Sequence, residues 1–163
     1  MSLYLGFITY GESTAKYLPY FLPSLKNQTF PGFKIVAVDN SQARENDNTL
    51  YIRNNFPEID LRWAGENLGF AKAFNLMIAR ARAAGAEYFL ALNPDMIFAT
   101  DFLTKLIEAI KSDETIGAVA PKASFLLTEF RQDSPGASDS SGGVGGTLNL
   151  RSFGANTIGG PLT

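Results

Sequence analysis

The sequence predicts an α/β protein, three layers deep, with helices covering both faces of a mostly parallel sheet. Three observations carry that prediction. Short apolar runs alternate four times with segments of helical period, the order that builds parallel strands joined by helical crossovers. Tyr88–Leu92 is unbroken in its apolar character and Lys34–Asp39 is rich in β-branched residues, as strands buried in a sheet are. Both runs end in polar clusters, Asp39-Asn40-Ser41 and Asn93-Pro94-Asp95, and open α/β sheets bind ligands just outside the carboxyl ends of their strands.

The elements follow in order. Leu3 to Thr9 is apolar and suits a first buried strand, with Tyr10-Gly11-Glu12-Ser13 as the loop that leaves it. Leu18, Phe21, Leu22 and Leu25 then recur at helical spacing. Pro19 fits the first turn of that helix, whereas Pro23 deletes a hydrogen bond and bends it. Lys34–Asp39 is the second strand. Asp47 to Asn55 reads as a helix with Leu50, Ile52 and Phe56 facing inward, and Ile59 to Trp63 as a third strand. The next helix runs from Gly69 to about Ala84, with Phe70, Phe74, Met77, Ile78 and Ala81 as its apolar stripe and Lys72, Asn75 and Arg82 opposite. Gly85 is placed to end it. After Tyr88–Leu92, Asp101 is a cap for a helix lined by Leu103, Leu106, Ile107 and Ile110. Ile116 to Pro121 reads as a fifth strand. Residues 1–133 therefore form one domain, and a chain of 163 residues is of a size that buries roughly 70% of its unfolded surface. Residues 134–163 hold 8 of the 15 glycines, mixed with Ser, Thr and Asn, and read as a tail that begins an incomplete further part.

Composition narrows the chemistry. The net charge is −2 with Lys and Arg scattered, so the chain lacks the basic face that nucleic acid requires. It contains no Cys and no His. Disulfides, thiolate nucleophiles, zinc–thiolate sites and the commonest general base are thereby excluded. What remains is carboxylates, amides, hydroxyls and backbone groups, which suit a hard cation such as magnesium or manganese. No apolar stretch approaches the roughly 20 residues that span a bilayer. The start, Met1-Ser-Leu-Tyr-Leu-Gly, lacks the basic region of a signal peptide, so the expectation is a cytoplasmic location, free or at the inner face of the membrane.

Three polar clusters stand at strand ends. Asp39 suits a hydrogen bond to a ribose or a base N–H, and equally a turn cap, since Asp-Asn-Ser is common turn chemistry. In Glu66-Asn67-Leu68-Gly69-Phe70-Ala71, with Asn75 beyond, Gly69 allows close backbone approach and the helix start offers free N–H groups to a phosphate. An Asn-capped helix start is the plainer reading. Asp95 is a single carboxylate, so an ion held there needs waters and substrate phosphates to complete its shell. The plainer reading of Pro94 and Asp95 is strand termination. No Gly-x-Gly-x-x-Gly follows the first strand and no Walker lysine loop is present, which argues against nicotinamide, flavin and P-loop sites.

Val38-Asp39-Asn40-Ser41, Glu66-Asn67-Leu68-Gly69-Phe70-Ala71 with Asn75, and Leu92-Asn93-Pro94-Asp95 resemble glycosyltransferase family 2, in order and spacing, over roughly Leu3 to Lys122. The likeness is greatest to rhamnosyltransferase-type members, which write the Asp-x-Asp metal motif as Asn-Pro-Asp. The resemblance implies a GT-A, Rossmann-like fold and transfer of a sugar, with inversion, from a nucleotide diphosphate sugar. UDP- or dTDP-sugars are the implied donors, and a glycan or lipid-linked saccharide the implied acceptor. Carried over by position, Thr9 and Tyr10 would flank the nucleotide and Asp39 would contact the base. Asn67 and Asn75 would lie near the ribose or diphosphate, with Asn93 in the place of the first motif Asp. Asp95 would ligate Mg2+ or Mn2+.

The family's catalytic base, an Asp or Glu, lies in a following acceptor-binding half. After Lys122 only Glu129, Asp133 and Asp139 are acidic, none in a recognisable base motif. The catalytic residue is therefore unassigned, and the resemblance implies a donor-binding part of a truncated transferase. A non-catalytic nucleotide-sugar-binding module or subunit is the alternative. A nucleotidyltransferase is a third reading, weakened because Thr9 to Ala15 has one Gly and no basic residue before Lys16.

Overall fold

A computed structural model describes residues 1–122 of the 163-residue chain. A first compact unit spans Met1–Lys105 and contains all four strands. Its elements are β1 (Leu3–Thr9), α1 (Gly11–Ala15), α2 (Leu18–Lys26), β2 (Phe33–Asp39), α3 (Asp47–Asn55), β3 (Asp60–Trp63), α4 (Gly69–Ala83) and β4 (Tyr88–Leu92). A fifth helix, α5 (Phe102–Lys111), begins in this unit and ends in the second. The expected division near residue 133 lies outside the described residues.

The strands form one parallel sheet in the order β3-β2-β1-β4. β1 is central, with Leu5 and Phe7 wholly buried. The two-residue period of a strand sends its side chains alternately to two helical layers. Tyr4, with Val36 and Val38 of β2, packs under Ala73, Phe74, Met77 and Ala81 of α4. Phe7 points the other way, and its ring meets Phe21 of α2 edge-on at 5.0 Å. Phe21 in turn contacts Phe98, which stacks on Phe102. Gly6 lies on the α4 face, where a Cβ would collide with the Phe89 ring, so no larger residue fits while that ring keeps its place. The result is the expected three-layer α/β/α sandwich.

Several expectations are corrected in detail. Ile116–Pro121 is irregular rather than a fifth strand. An apolar run becomes a strand only when a neighbour supplies its ladder, and among the described residues none pairs with it. Leu50, Phe70 and Ile78, expected inward, are 44%, 66% and 42% exposed. On α3 the buried face is instead Asn48, Thr49 and Ile52. On α4, Ala73 takes the inward position that the bulkier Phe70 was expected to fill. Pro19 does sit in the first turn of α2 and Pro23 inside it. Gly85 ends α4 with φ +78°, the left-handed conformation that glycine adopts without steric cost. Asp101 forms an i,i+4 ion pair with Lys105 at 2.6 Å.

Candidate functional site

The sheet order creates a switch point. From β1 the chain steps outward to β2 and β3, then crosses back to place β4 on the other side of β1. Connections leaving β1 and β4 diverge there, and the crevice outside their carboxyl ends is where open α/β sheets bind ligands. Four of the seven residues singled out from sequence, Thr9, Tyr10, Asn93 and Asp95, lie on these two strand ends.

On the β1/β2 side the polar groups are tied together. Thr9 and Asp39 are partners in the β1–β2 register and both are wholly buried. The Thr9 hydroxyl donates to Asp39 Oδ2 at 2.8 Å, while Oδ1 accepts the Ser41 N–H at 2.7 Å and the Asn46 amide at 3.4 Å. A carboxylate offers about four lone-pair sites, and three bonds leave one unspent. Asn40, one residue on, points to the α4 layer. Its Nδ2 donates to Asn67 Oδ1 at 3.3 Å and to the Gly69 carbonyl at 3.4 Å. Asn67 Oδ1 also accepts the Gly69 N–H at 2.9 Å, which uses the first N–H of α4. Asn40 Oδ1 is buried with no partner among the described residues. The edge strand joins the same group, with Ala64 N–H on the Asp39 carbonyl and Trp63 Nε1 on the Ser41 carbonyl, each at 2.9 Å.

The β4 side is open. Asn93 and Asp95 are exposed in a turn after Leu92, and Asp95 makes no hydrogen bond or ion pair with any described residue. Phe7 pairs with Leu92, so the Asn93–Asp95 turn leaves the sheet beside the end of β1. One strand spacing, roughly 4.8 Å, separates neighbouring strands, so Asp39 and this turn stand about 10 Å apart across Thr9. Downstream the segment is anchored to α2. Gln28 donates to the Ala99 carbonyl at 2.7 Å and accepts the Leu103 N–H at 3.0 Å, while Ser24 Oγ accepts the Phe98 N–H at 3.2 Å.

No group of three or more acidic residues that could hold a metal occurs among the described residues. The oxygens present, the exposed Asp95 carboxylate and the Asn93 amide, fit a hard cation that brings waters and phosphates as its remaining ligands.

The structure joins Thr9, Asp39 and Asn67 through hydrogen bonds and sets Tyr10, Asn93 and Asp95 beside them. It does not bring Asn75 to this group. Asn75 is exposed on α4, about 9 Å along the helix from Gly69, in a shallow groove of about 570 Å³ with Ile78, Ala79, Arg82 and Ala83. That groove lies on a helix face away from the strand ends, where the polar groups converge. Sequence reasoning missed Asn46 and Asn48. Asn46 caps α3, accepting the Asn48 and Thr49 N–H groups at 3.0 and 3.2 Å, while Thr49 Oγ1 accepts the Asn46 N–H. The visible signal was an Asn three residues before a Thr at a helix start, the spacing of a capping box.

Among the described residues no helix is long and apolar enough to cross a membrane. No curated protein matches the chain. Among solved structures it is similar to TarS of S. aureus, at 24% identity and TM-score 0.56, covering 73% of this chain and 21% of that one. A TarS 1–349 structure in complex with UDP-GlcNAc is likewise 24% identical, with TM-score 0.56, covering 70% of this chain and 32% of its own. The mannosyltransferase PcManGT from Pyrobaculum calidifontis, in complex with GDP-Man and Mn2+, is 24% identical with TM-score 0.59, covering 71% and 33%. At these identities the likeness carries the fold, which is GT-A, and the chain spans between about a fifth and a third of the length of these neighbours. The model of glycosyl transferase family 2 matches residues 5–138, more than four-fifths of the sequence. This chain belongs to glycosyltransferase family 2.

Proposed function

We propose that this chain is the donor-binding part of an inverting glycosyltransferase, holding a nucleotide diphosphate sugar across the β1/β4 switch point. The observation that carries the reading is the placement, at the carboxyl ends of adjoining strands, of a bonded polar floor, Thr9–Asp39 with Asn40–Asn67, and an exposed carboxylate, Asp95, with no partner among the described residues. Tyr10 and Thr9 flank the nucleoside, and the last lone-pair site of Asp39 suits a base N–H. Asn67 and Asn93 face the ribose and diphosphate, and Asp95 holds Mg2+ or Mn2+. Asn75 stands apart from this arrangement. The cation, when bound, offsets charge on the leaving diphosphate.

In the transfer the acceptor hydroxyl oxygen bonds to the anomeric carbon from the face opposite the diphosphate. The bond from that carbon to the phosphate oxygen breaks, and its electron pair leaves with the nucleoside diphosphate. The acceptor proton goes to a carboxylate. Glu129, Asp133 and Asp139 lie outside the described residues, and the resemblance to the family suggests a base in an acceptor-binding half, so no residue is assigned to it. UDP- and dTDP-sugars are the proposed donors, with rhamnose as the sugar suggested by the Asn-Pro-Asp motif and a glycan or lipid-linked saccharide as acceptor. Neighbours solved with UDP-GlcNAc, or with GDP-Man and Mn2+, support a nucleotide sugar and a divalent ion.

Calorimetric titration of UDP-, dTDP- and GDP-sugars with and without Mn2+ tests this. One of them binds in a metal-dependent way, and Asp95→Ala weakens that binding by about 100-fold, at or above the upper end for lost metal-site contacts. Asp95→Ala leaves the melting temperature unchanged, because an exposed side chain contributes within about 0.5 kcal/mol to stability. Equal binding by Asp95→Ala and the unmutated chain would remove Asp95 from the metal site.

A further inference from the structure

Asn48 has no place in the proposed contact set, yet its side chain is wholly buried and each of its two polar atoms has a hydrogen-bond partner. It sits on the second residue of α3, where burying an amide is costly unless its hydrogen bonds are met. Both are met by the loop that leaves β1. Asn48 Nδ2 donates to the Gly11 carbonyl at 2.8 Å, and Asn48 Oδ1 accepts the Thr14 hydroxyl at 2.8 Å. The Thr14 oxygen in turn accepts the Tyr10 N–H at 3.0 Å. A relay thus runs from Asn48 through Thr14 to the backbone of Tyr10.

The other side of Gly11 is held as well. Its N–H donates to Ser41 Oγ at 2.9 Å, so its two polar backbone groups are fixed, one from the β2–α3 connection and one from α3. Gly11 has φ +55°, a left-handed conformation that the sequence supplies with glycine. Nothing lies within 4 Å of a Cβ added there, so the need for glycine is conformational rather than spatial. What emerges from this clamp is the Tyr10 side chain, 49% exposed at the end of β1.

We infer that Asn48 is a positioning residue for the nucleotide, acting through Thr14 and Gly11 to set the backbone that carries Tyr10. The inference rests on the reading of this crevice as a nucleotide site. Asn48 itself touches no ligand. Its effect is to remove the freedom of the Tyr10–Thr14 turn before binding, so that the aromatic ring meets the nucleoside already in place.

The test uses the 163-residue chain and whichever of UDP, dTDP or GDP it binds most tightly with Mn2+. In Asn48→Ala the Tyr10 amide exchanges hydrogen about 10-fold faster, because its local opening is no longer opposed by the relay. Nucleotide affinity falls about 10-fold, and in a Tyr10→Ala background the same substitution has no further effect, the coupling expected of residues that act through one another. Thr14→Val reproduces both changes from a half-buried position and serves if Asn48→Ala does not fold, while Thr14→Ser restores both. A solely structural Asn48 would lower the melting temperature and leave the affinity of the folded chain intact. Unchanged affinity in Asn48→Ala or Thr14→Val, or losses that add with Tyr10→Ala, overturn the inference while the nucleotide reading stands. Failure of the unmutated chain to bind any of the three nucleotides overturns that reading, and the inference with it.

Discussion

The two sides of the switch point are built on opposite plans. At the ends of β1 and β2 and the start of α3, Thr9, Asp39, Asn40, Ser41 and Asn48 are buried and joined by hydrogen bonds across three segments of chain. At the end of β4, Asn93 and Asp95 are exposed, and Asp95 has no partner among the described residues. Each plan suits one kind of ligand group. A base and ribose are recognised by directional hydrogen bonds, which work best from a floor that does not rearrange. A cation with a phosphate shell needs an oxygen not already committed to the protein. The contrast teaches that acidic residues at neighbouring strand ends differ in what they have left to offer: Asp39 is committed to three hydrogen bonds, whereas Asp95 is exposed with no partner among the described residues.

That contrast can be broken most severely at Asp39. Replacing it by Ala strands the Thr9 hydroxyl, the Ser41 N–H and the Asn46 amide, and is expected to cost about 3 kcal/mol of stability, the scale for hydrogen bonds to a charged acceptor. Urea denaturation measures it. A loss under about 0.5 kcal/mol would mean that the buried network is not a scaffold.

Asn93→Asp sharpens the opposite side. A second carboxylate two residues before Asp95 raises the affinity for Mn2+ alone by about 10-fold, since charge count tunes affinity at hard-cation sites. Stability changes little, because the position is exposed. Manganese titration followed by electron paramagnetic resonance reads the change, and unaltered affinity would place Asn93 away from the ion.

The smallest effect is reserved for Asn75→Ala. Its side chain lies in the groove on α4, so nucleotide affinity is expected to change by less than about 2-fold, as for an exposed substitution remote from the site. A 10-fold loss in calorimetry would bring Asn75 back to the diphosphate.

Much of this plan is legible in the sequence, and the failures share a cause. β1, β2, β4 and α4 announce themselves because long apolar runs and a clear helical period depend on local composition alone. Asp39, Asn67 and Asp95 are legible as strand-end polar groups for the same reason. Leu50 misleads because α3 buries Asn48 and Thr49, whose hydrogen-bond partners come from Gly11, Thr14, Arg44 and Asn46. Two of these are more than thirty residues away. No periodicity of hydrophobicity can register a polar residue made inward-facing by distant partners. Phe70 misleads in the other direction: it is 66% exposed and meets Phe74 at 4.5 Å, so the apolar stripe continues past the edge of the buried face. Ile116–Pro121 has strand composition without a described strand to pair with, and pairing is not a local property.

The amino-acid order by itself determined the alternation of strands and helices, the absence of Cys and His chemistry, and which strand ends carry polar groups. These depend on side-chain type and short-range spacing, which are written along one dimension. Only the folded sheet decided that β4 lies beside β1 rather than β3, which puts Asp95 across Thr9 from Asp39. It also decided that one carboxylate is buried in bonds while the other is exposed, with no partner among the described residues. Those outcomes depend on which distant segments share a neighbourhood, and burial and hydrogen bonding are set by that neighbourhood.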